Sequence, residues 1–234
     1  MLTLENLTIS YGEKRVIEHL DMELENQRIY AIIGKSGSGK STLLKAISAV
    51  HPYEGRILLN DHPLNVREHK VALVPQKNSL IKWKTIRKNI TLPLTLRNLY
   101  EAERFDDLCR EVGIEEILDA YPNHISGGEQ QRAAICRAFL FQPDVLLLDE
   151  AFSALDAITK DDVHQAFLKT IGRHKVTTLL ITHDMDEALL LAEQIFILKD
   201  GRCGKPLNNP LFGLPREENE TLYREMRREM RTAI

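Results

Sequence analysis

Eight consecutive residues, Gly34-Lys35-Ser36-Gly37-Ser38-Gly39-Lys40-Ser41, restrict this chain more than any other stretch. They follow an apolar run, Arg28-Ile29-Tyr30-Ala31-Ile32-Ile33, and precede a helix-prone one, Thr42-Leu43-Leu44-Lys45-Ala46-Ile47. The pattern G-x-x-x-x-G-K-[ST], set between a strand and a helix, makes a loop that wraps a phosphate. Its glycines let the backbone close around the anion with N–H groups turned inward. The helix N-terminus adds partial positive charge at the same spot. Gly34, Ser36, Gly37, Gly39 and Thr42 are therefore candidate phosphate contacts. Lys40 is expected to reach the β- and γ-phosphates of a nucleotide, and the Ser41 hydroxyl to ligate Mg²⁺. A plain Gly/Ser surface turn would need neither flank.

A second segment supplies the acids such a loop needs. Val145-Leu146-Leu147-Leu148-Asp149-Glu150 reads as a buried strand with two carboxylates at its end. Asp149 is expected to hold Mg²⁺, directly or through water. Glu150 is expected to polarise the attacking water as general base. Ordinary surface acids would look the same alone; beside a phosphate loop the catalytic reading is stronger. The two motifs together predict a P-loop NTPase.

Other short apolar runs without alternation are Val71–Val74, Thr178–Ile181 and Ile195–Leu198. Strands that bury both faces look like this, in parallel sheets covered by helices. Helical stretches fall between them: after Gly39, over 101–112, after Gly128, over 159–171 and after Asp184. The prediction is an α/β fold with a parallel sheet and ligand chemistry at the strands' carboxyl ends. The alternation in Thr3–Tyr11 and in parts of Val16–Leu24 predicts an N-terminal antiparallel β layer. From Lys77 to Pro143 helix signals dominate, which predicts an inserted helical subdomain. The expected division is an α/β core over 1–76 and 144–203, the helical subdomain over 77–143, and a tail over 204–234. That tail ends in a charged helix with Leu222, Met226 and Met230 at four-residue spacing. The expected use of the stripe is packing on the chain's own domain, with a membrane-surface helix as the alternative.

Composition excludes several classes. A net charge of −3 over 234 residues gives no electrostatic reason to expect nucleic acid. No stretch approaches the roughly 18 apolar residues of a spanning helix. The start, Met1-Leu2-Thr3-Leu4-Glu5, lacks the basic and apolar regions of a secretory signal. The expected location is the cytoplasm, with any membrane reached through a partner. Cys109, Cys136 and Cys203 show no metal spacing and are read as reduced thiols.

Ser126-Gly127-Gly128-Glu129-Gln130-Gln131-Arg132 narrows the class. It resembles the signature motif of ATP-binding cassette proteins, usually L-S-G-G-Q, with Ile125 for Leu and Glu129 for Gln. Small residues opening a helix expose backbone N–H groups to an anion; the same Ser126 also suits a simple N-cap. The resemblance continues in order along the chain. Tyr11 falls where the family stacks an aromatic on adenine, although a strand Tyr is often core. Gln76 resembles the glutamine that senses metal and water. Ser153-Ala154-Leu155-Asp156 resembles the D-loop, which places Asp156 at the nucleotide. Ile181-Thr182-His183-Asp184 resembles the switch segment whose histidine contacts γ-phosphate. The resemblance implies ATP and Mg²⁺ as ligands, with Ser41, Gln76 and Asp149 about the metal and Glu150, His183 and Gln76 in catalysis. It also implies a head-to-tail homodimer on ATP binding, in which Ser126, Gly127 and Gly128 of one copy face the phosphate loop of the other.

Finer features resemble importer ATPases, above all the nitrate, sulfonate and taurine group. These are Ala188-Leu189-Leu190-Leu191-Ala192-Glu193 directly after His183-Asp184-Met185-Asp186-Glu187, Trp83 after Gln76, Leu92-Pro93-Leu94, and the tail with Pro215-Arg216 and a terminal Arg/Glu-rich helix. That likeness implies transmembrane permease subunits as partners, an extracytoplasmic solute-binding protein in the same system, and a peripheral site on the cytoplasmic face of the membrane. Residues 76–94 are expected to grip a permease helix, with Trp83 either a contact or core. Three departures stand out: Ala151 where Pro is usual, a short Val50–Gly55 connection, and no Gly-Glu in Glu25–Arg28. None removes a catalytic group. The main alternative is a non-transport cassette of cell division or lipoprotein release. DNA-repair and translation cassettes fit less well, lacking the fused second cassette or coiled coil here; a kinase or GTPase would lack the signature and His183.

Overall fold

The structure is a computed structural model and describes residues 1–76, 79–97 and 102–234. Lys77, the expected start of the helical subdomain, and Glu101 lie outside the described residues. Two sheets lie face to face. The smaller holds β1 (Leu2–Tyr11), β2 (Lys14–Leu24), β4 (Glu54–Leu59) and β5 (His62–Pro63), antiparallel in the order β2-β1-β4-β5. The sequence announced its first two strands only. β4 opens on Glu54-Gly55-Arg56, which carries no apolar signal, and Gly55 sits at φ 98 against the Asn6 carbonyl oxygen.

The larger sheet has five parallel strands: β3 (Ile29–Ile33), β6 (Val71–Val74), β7 (Val145–Asp149), β8 (Thr177–Ile181) and β9 (Gln194–Lys199). They run in the order β9-β3-β8-β7-β6. The short β10 (Arg202–Cys203) and β11 (Leu207–Asn208) pair antiparallel with β9.

Two cores explain why these strands read as continuous apolar runs. Tyr30, Ile32, Val145, Leu147, Leu179 and Ile181 face the small sheet and α1 (Lys40–Ile47), whose Leu43, Leu44 and Ile47 are buried there. Ala31, Ile33, Leu146, Leu148 and Leu180 face the opposite way, under helices. Odd and even positions thus serve different cores and neither faces water.

Between Pro75 and Asp144 the described residues hold helices only: α2 (Ile86–Thr95), α3 (Ala102–Val112), α4 (Gly127–Leu140) and two short 3-10 turns. Both α2 and α3 pack on α4, which also lies against β6 and α5 (Ala157–His174). Buried Asn89 on α2 stitches down the segment before it. Its side chain accepts from Ile81 N at 2.6 Å and donates to the Ile81, Lys84 and Thr85 carbonyls.

The tail joins the second core. α7 (Glu220–Ala233) packs on α6 (Met185–Leu191), burying Tyr223, Met226 and Met230. The stripe is shifted from the expected one: Tyr223 takes the inner position and Leu222 its margin. With that face filled, the membrane-surface alternative loses its apolar surface. Met230 is fully buried, so Met230→Ala is expected to cost about 2–5 kcal/mol. Urea unfolding should show a lower midpoint with an unchanged slope; an unchanged midpoint would mean the tail does not pack here. Among the described residues no helix is long and apolar enough to cross a membrane.

Candidate nucleotide-binding and hydrolysis site

Parallel pairing brings four separate sequence segments to one edge. β3 ends in the glycine loop, β8 runs into His183, β7 ends in Asp149 and Glu150, and β6 runs into Gln76. The loop's shape depends on its glycines. A Cβ on Gly34 would strike the Leu198 carbonyl oxygen. Gly37 sits at φ 80, and Gly39, the N-cap of α1, at φ 103. A Cβ on Gly39 would also press on Ile17 Cδ1 at 2.8 Å.

Lys40 is 6% exposed. Its Nζ donates to the Gly34 carbonyl at 2.9 Å and the Lys35 carbonyl at 3.0 Å, closing the loop on itself. Burial lowers its pKa, while nearby Glu150 and Asp149 act in the opposite direction. Ser41 Oγ donates to Asp149 Oδ1 at 2.7 Å. The buried Ser38 Oγ has no hydrogen-bond partner among the described residues. A cavity of about 420–440 Å³ opens on each side of the loop; the one of 440 Å³ is lined by Ser36, Gly37, Lys40, Ser41, Gln76 and Glu150 among others.

Glu150 is held by its surroundings. Its backbone is left-handed, φ 47. Its N–H donates to the Ile181 carbonyl at 2.9 Å, and Ser153 N and Oγ both donate to its carbonyl. Gln76 Nε2 donates to Glu150 Oε2 at 2.9 Å, and His183 Nδ1 lies 3.3 Å from the same oxygen. The three residues expected to be catalytic therefore meet at one atom. Ala151, where the family this chain resembles usually has Pro, is buried next to Glu150.

An orphaned hydroxyl, a lysine ammonium and left-handed glycines fit a bound phosphate. The hydroxyl of Ser41 and the carboxylate of Asp149 are hard oxygen donors 2.7 Å apart. Such a pair suits Mg²⁺ that arrives with phosphate and keeps water ligands. Among the described residues no three His, Cys, Asp or Glu side chains gather into a metal cage.

The remaining predicted residues lie elsewhere. Tyr11 is half exposed, with its ring edge-on to His51 at 4.3 Å, so it is not core. Ser126 caps α4, and Glu129 completes the cap: Ser126 N donates to Glu129 Oε2 at 2.8 Å, while Glu129 N donates to Ser126 Oγ. The Ser126 side-chain and backbone hydrogen bonds lower the Glu129 pKa. This is the use made of a Glu where Gln is commoner. A Cβ on Gly128 would strike the Thr159 methyl, and one on Gly127 would touch Leu155 Cδ2 at 3.6 Å. Asp156 caps α5 by accepting from Thr159 N at 3.1 Å. Tyr11, Ser126, Gly127, Gly128 and Asp156 do not line the 440 Å³ cavity.

Sequence reasoning missed a partly buried ionic group behind His183: Lys160, Asp184 and Glu187. Lys160 lies 24 residues before Asp184, and only the meeting of the start of α5 with the start of α6 reveals the group. Trp83 is 79% exposed, which removes its reading as core.

A phosphate loop after β3 facing the carboxylates that end β7, one strand removed across β8, with a second anion-ready helix start on the surface, defines a nucleotide hydrolase of the cassette type. Family comparison agrees, since the model described as ABC transporter matches residues 17–153. The chain belongs to the ABC transporter family and is an ATP-binding cassette ATPase. It is 36% identical to an aliphatic sulfonates import ATP-binding protein SsuB of Bacillus cereus, over 94% of this chain and 88% of that one. A Streptomyces avermitilis relative of the same description is 36% identical over 99% and 89%. Among solved structures, a dimeric bacterial ABC transporter cassette matches with TM-score 0.77 and 30% identity, covering 89% of this chain and 98% of that one. A post-hydrolysis dimer of that cassette with ADP and Pi matches equally. A cassette of Clostridium perfringens, part of the transporter complex cbiONQ, matches with TM-score 0.80 and 25% identity, covering 95% and 91%.

Proposed function

We propose that this chain is the ATP-hydrolysing motor of a membrane importer, and that the imported solute is an aliphatic sulfonate or a close relative. The observation that carries the hydrolytic part is the convergence of Gln76 and His183 on Glu150 Oε2 at the mouth of the phosphate cradle. The importer part rests on relatives 34–36% identical over nearly the whole chain and named for sulfonate import.

In this reading Gly34, Ser36, Gly37, Gly39 and Thr42 wrap the triphosphate with backbone and hydroxyl donors. Lys40 leaves its loop carbonyls for the β- and γ-phosphates. Ser41 and Asp149, with Gln76 nearby, hold Mg²⁺, which supplies charge neutralisation on the phosphates. Glu150 takes the proton of the attacking water. Gln76 orients that water, and His183 donates toward the γ-phosphate. Tyr11 stacks on adenine. Two copies pair head to tail on ATP, so that Ser126, Gly127, Gly128 and Asp156 of one copy complete the site of the other.

The helical part, 77–143, works as a subdomain that carries force to permease subunits, and 204–234 as a tail fixed on the core. Exposed Trp83 offers the permease an aromatic contact. Arg137 of α4 donates to the Ser79 carbonyl at 3.0 Å, tying that contact segment to the helix opened by Ser126. The motor sits on the cytoplasmic face of the membrane, and an extracytoplasmic solute-binding protein delivers the cargo.

The test is recovery of tagged Glu150→Gln protein from gently solubilised membranes with ATP. A multi-spanning partner should come with it, and loss of the pair should abolish growth on an alkanesulfonate as sole sulfur source. Recovery of soluble proteins only, with ATP-driven dimerisation intact, would keep the ATPase and remove the transporter. It would favour the cell-division or lipoprotein-release alternative.

A further inference from the structure

His183 needs something behind it. It stands on a short connection between β8 and α6, its side chain is 63% exposed, and its ring nitrogen reaches Glu150 Oε2 at 3.3 Å. An exposed ring on a connection keeps a catalytic position only if the backbone beneath it is fixed.

The next residue is Asp184, the N-cap of α6, which accepts from Asp186 N at 2.9 Å and Glu187 N at 3.3 Å. Its other oxygen is occupied from outside the helix: Lys160 Nζ donates to Asp184 Oδ2 at 2.7 Å. The same ammonium lies 2.9 Å from Glu187 Oε2. Glu187's side chain is 1% exposed, and its Oε1 accepts no hydrogen bond from the described residues. His164 Nε2 stands 3.6 Å away. Asp186, between the two acids in sequence, is paired instead with Arg216 and Arg227. Lys160 is thus the cation serving both Asp184 and Glu187. Burial works against its charge, yet the two carboxylates prevail and its pKa is raised.

Lys160 is also placed to feel the other end of the site. It lies in the first turn of α5 and donates its own N–H to the Asp156 carbonyl at 2.9 Å. Asp156 caps that helix beside Leu155, which lies under Gly127. One residue therefore joins the two ends: its backbone is bonded to the segment at the signature, and its side chain reaches the residue next to the switch histidine.

We propose that Lys160 is a positioning residue for hydrolysis: by holding Asp184 and Glu187 from the first turn of α5, it sets the place of His183 and ties it to the 153–156 segment. A resting ion pair of this kind contributes little net stability, because two charges are desolvated to form it. Its use is geometric. The inference rests on the reading of His183 as part of the hydrolytic machinery.

A mutant cycle on the full chain tests it. Lys160→Met is expected to lower kcat for ATP hydrolysis about tenfold with KM within about twofold, as misplacement of a catalytic group does. Lys160→Arg should restore most of the rate. In a His183→Ala background, Lys160→Met should change the rate no further, since the lysine acts through the histidine. Because Lys160→Met strands buried Glu187, Lys160→Met/Glu187→Gln is measured by the same criteria if the single variant fails to fold. A slow His183→Ala protein that Lys160→Met slows again by its full factor overturns the positioning role alone. So does a Lys160→Met protein with normal kcat. A normal rate in His183→Ala itself overturns the reading of the site, and this proposal with it.

Discussion

Glu150→Gln should bind ATP with near-normal affinity and hydrolyse it about 10²–10⁴-fold more slowly, the usual range for loss of a general base. The substitution is nearly isosteric. Gln76 can still donate to a side-chain oxygen at position 150, and Ser153 and Ile181 still hold the backbone there. In the proposed reading, phosphate binding uses the loop after β3 and not this side chain. Binding and hydrolysis should therefore separate, and an ATP-bound dimer should accumulate. Size-exclusion chromatography with ATP against ADP reads the dimer, and single-turnover kinetics reads the rate. Hydrolysis at the normal rate would remove Glu150 from the role of base.

Lys40→Ala should fail one step earlier. Hydrogen bonds to charged groups contribute about 1.5–3 kcal/mol each, so loss of one or two of them at the phosphates lowers ATP affinity by at least about tenfold. Turnover should fall below detection, since in the proposed reading the same ammonium also offsets charge on the transferred group. The fold should survive. Leu43, Leu44 and Ile47 still anchor α1 in the core, although the Gly34 and Lys35 carbonyls lose their donor. Titration with a fluorescent ATP analogue checks the affinity, and a thermal melt checks the fold. Wild-type affinity in the variant would mean that Lys40 keeps its loop contacts when nucleotide binds.

What the sequence revealed and what it hid have different physical origins. β3, β7, β8 and β9 were legible because strands buried on both faces are written in unbroken apolar residues. The phosphate loop was legible because only a few residue types tolerate its backbone, as Gly37 and Gly39 do at positive φ. β4 was hidden because its first three residues, Glu54-Gly55-Arg56, are exposed and carry no apolar signal, and it is recruited by β1. β11 is two residues long and exists only because β9 offers a free side. Tyr223 was missed since counting back four residues from Met226 lands on Leu222, whereas the buried face continues three residues back. The meeting of Gln76 and His183 on one oxygen of Glu150 came from motif order, but no spacing in the chain encodes which oxygen. The grip of Lys160 on Asp184 joins residues 24 positions apart and carries no local pattern at all.

The backbone of Glu150 sits in a region that residues with a Cβ avoid, at a cost of about 1–2 kcal/mol. Glycine or asparagine would rest there more easily. In the proposed reading, the fold therefore has a standing preference against the residue that hydrolysis uses at this position. Were the glutamate not needed for turnover, the backbone alone would favour glycine or asparagine there. In descendants that keep the cradle but have stopped consuming nucleotide, position 150 is where the change of trade would be written.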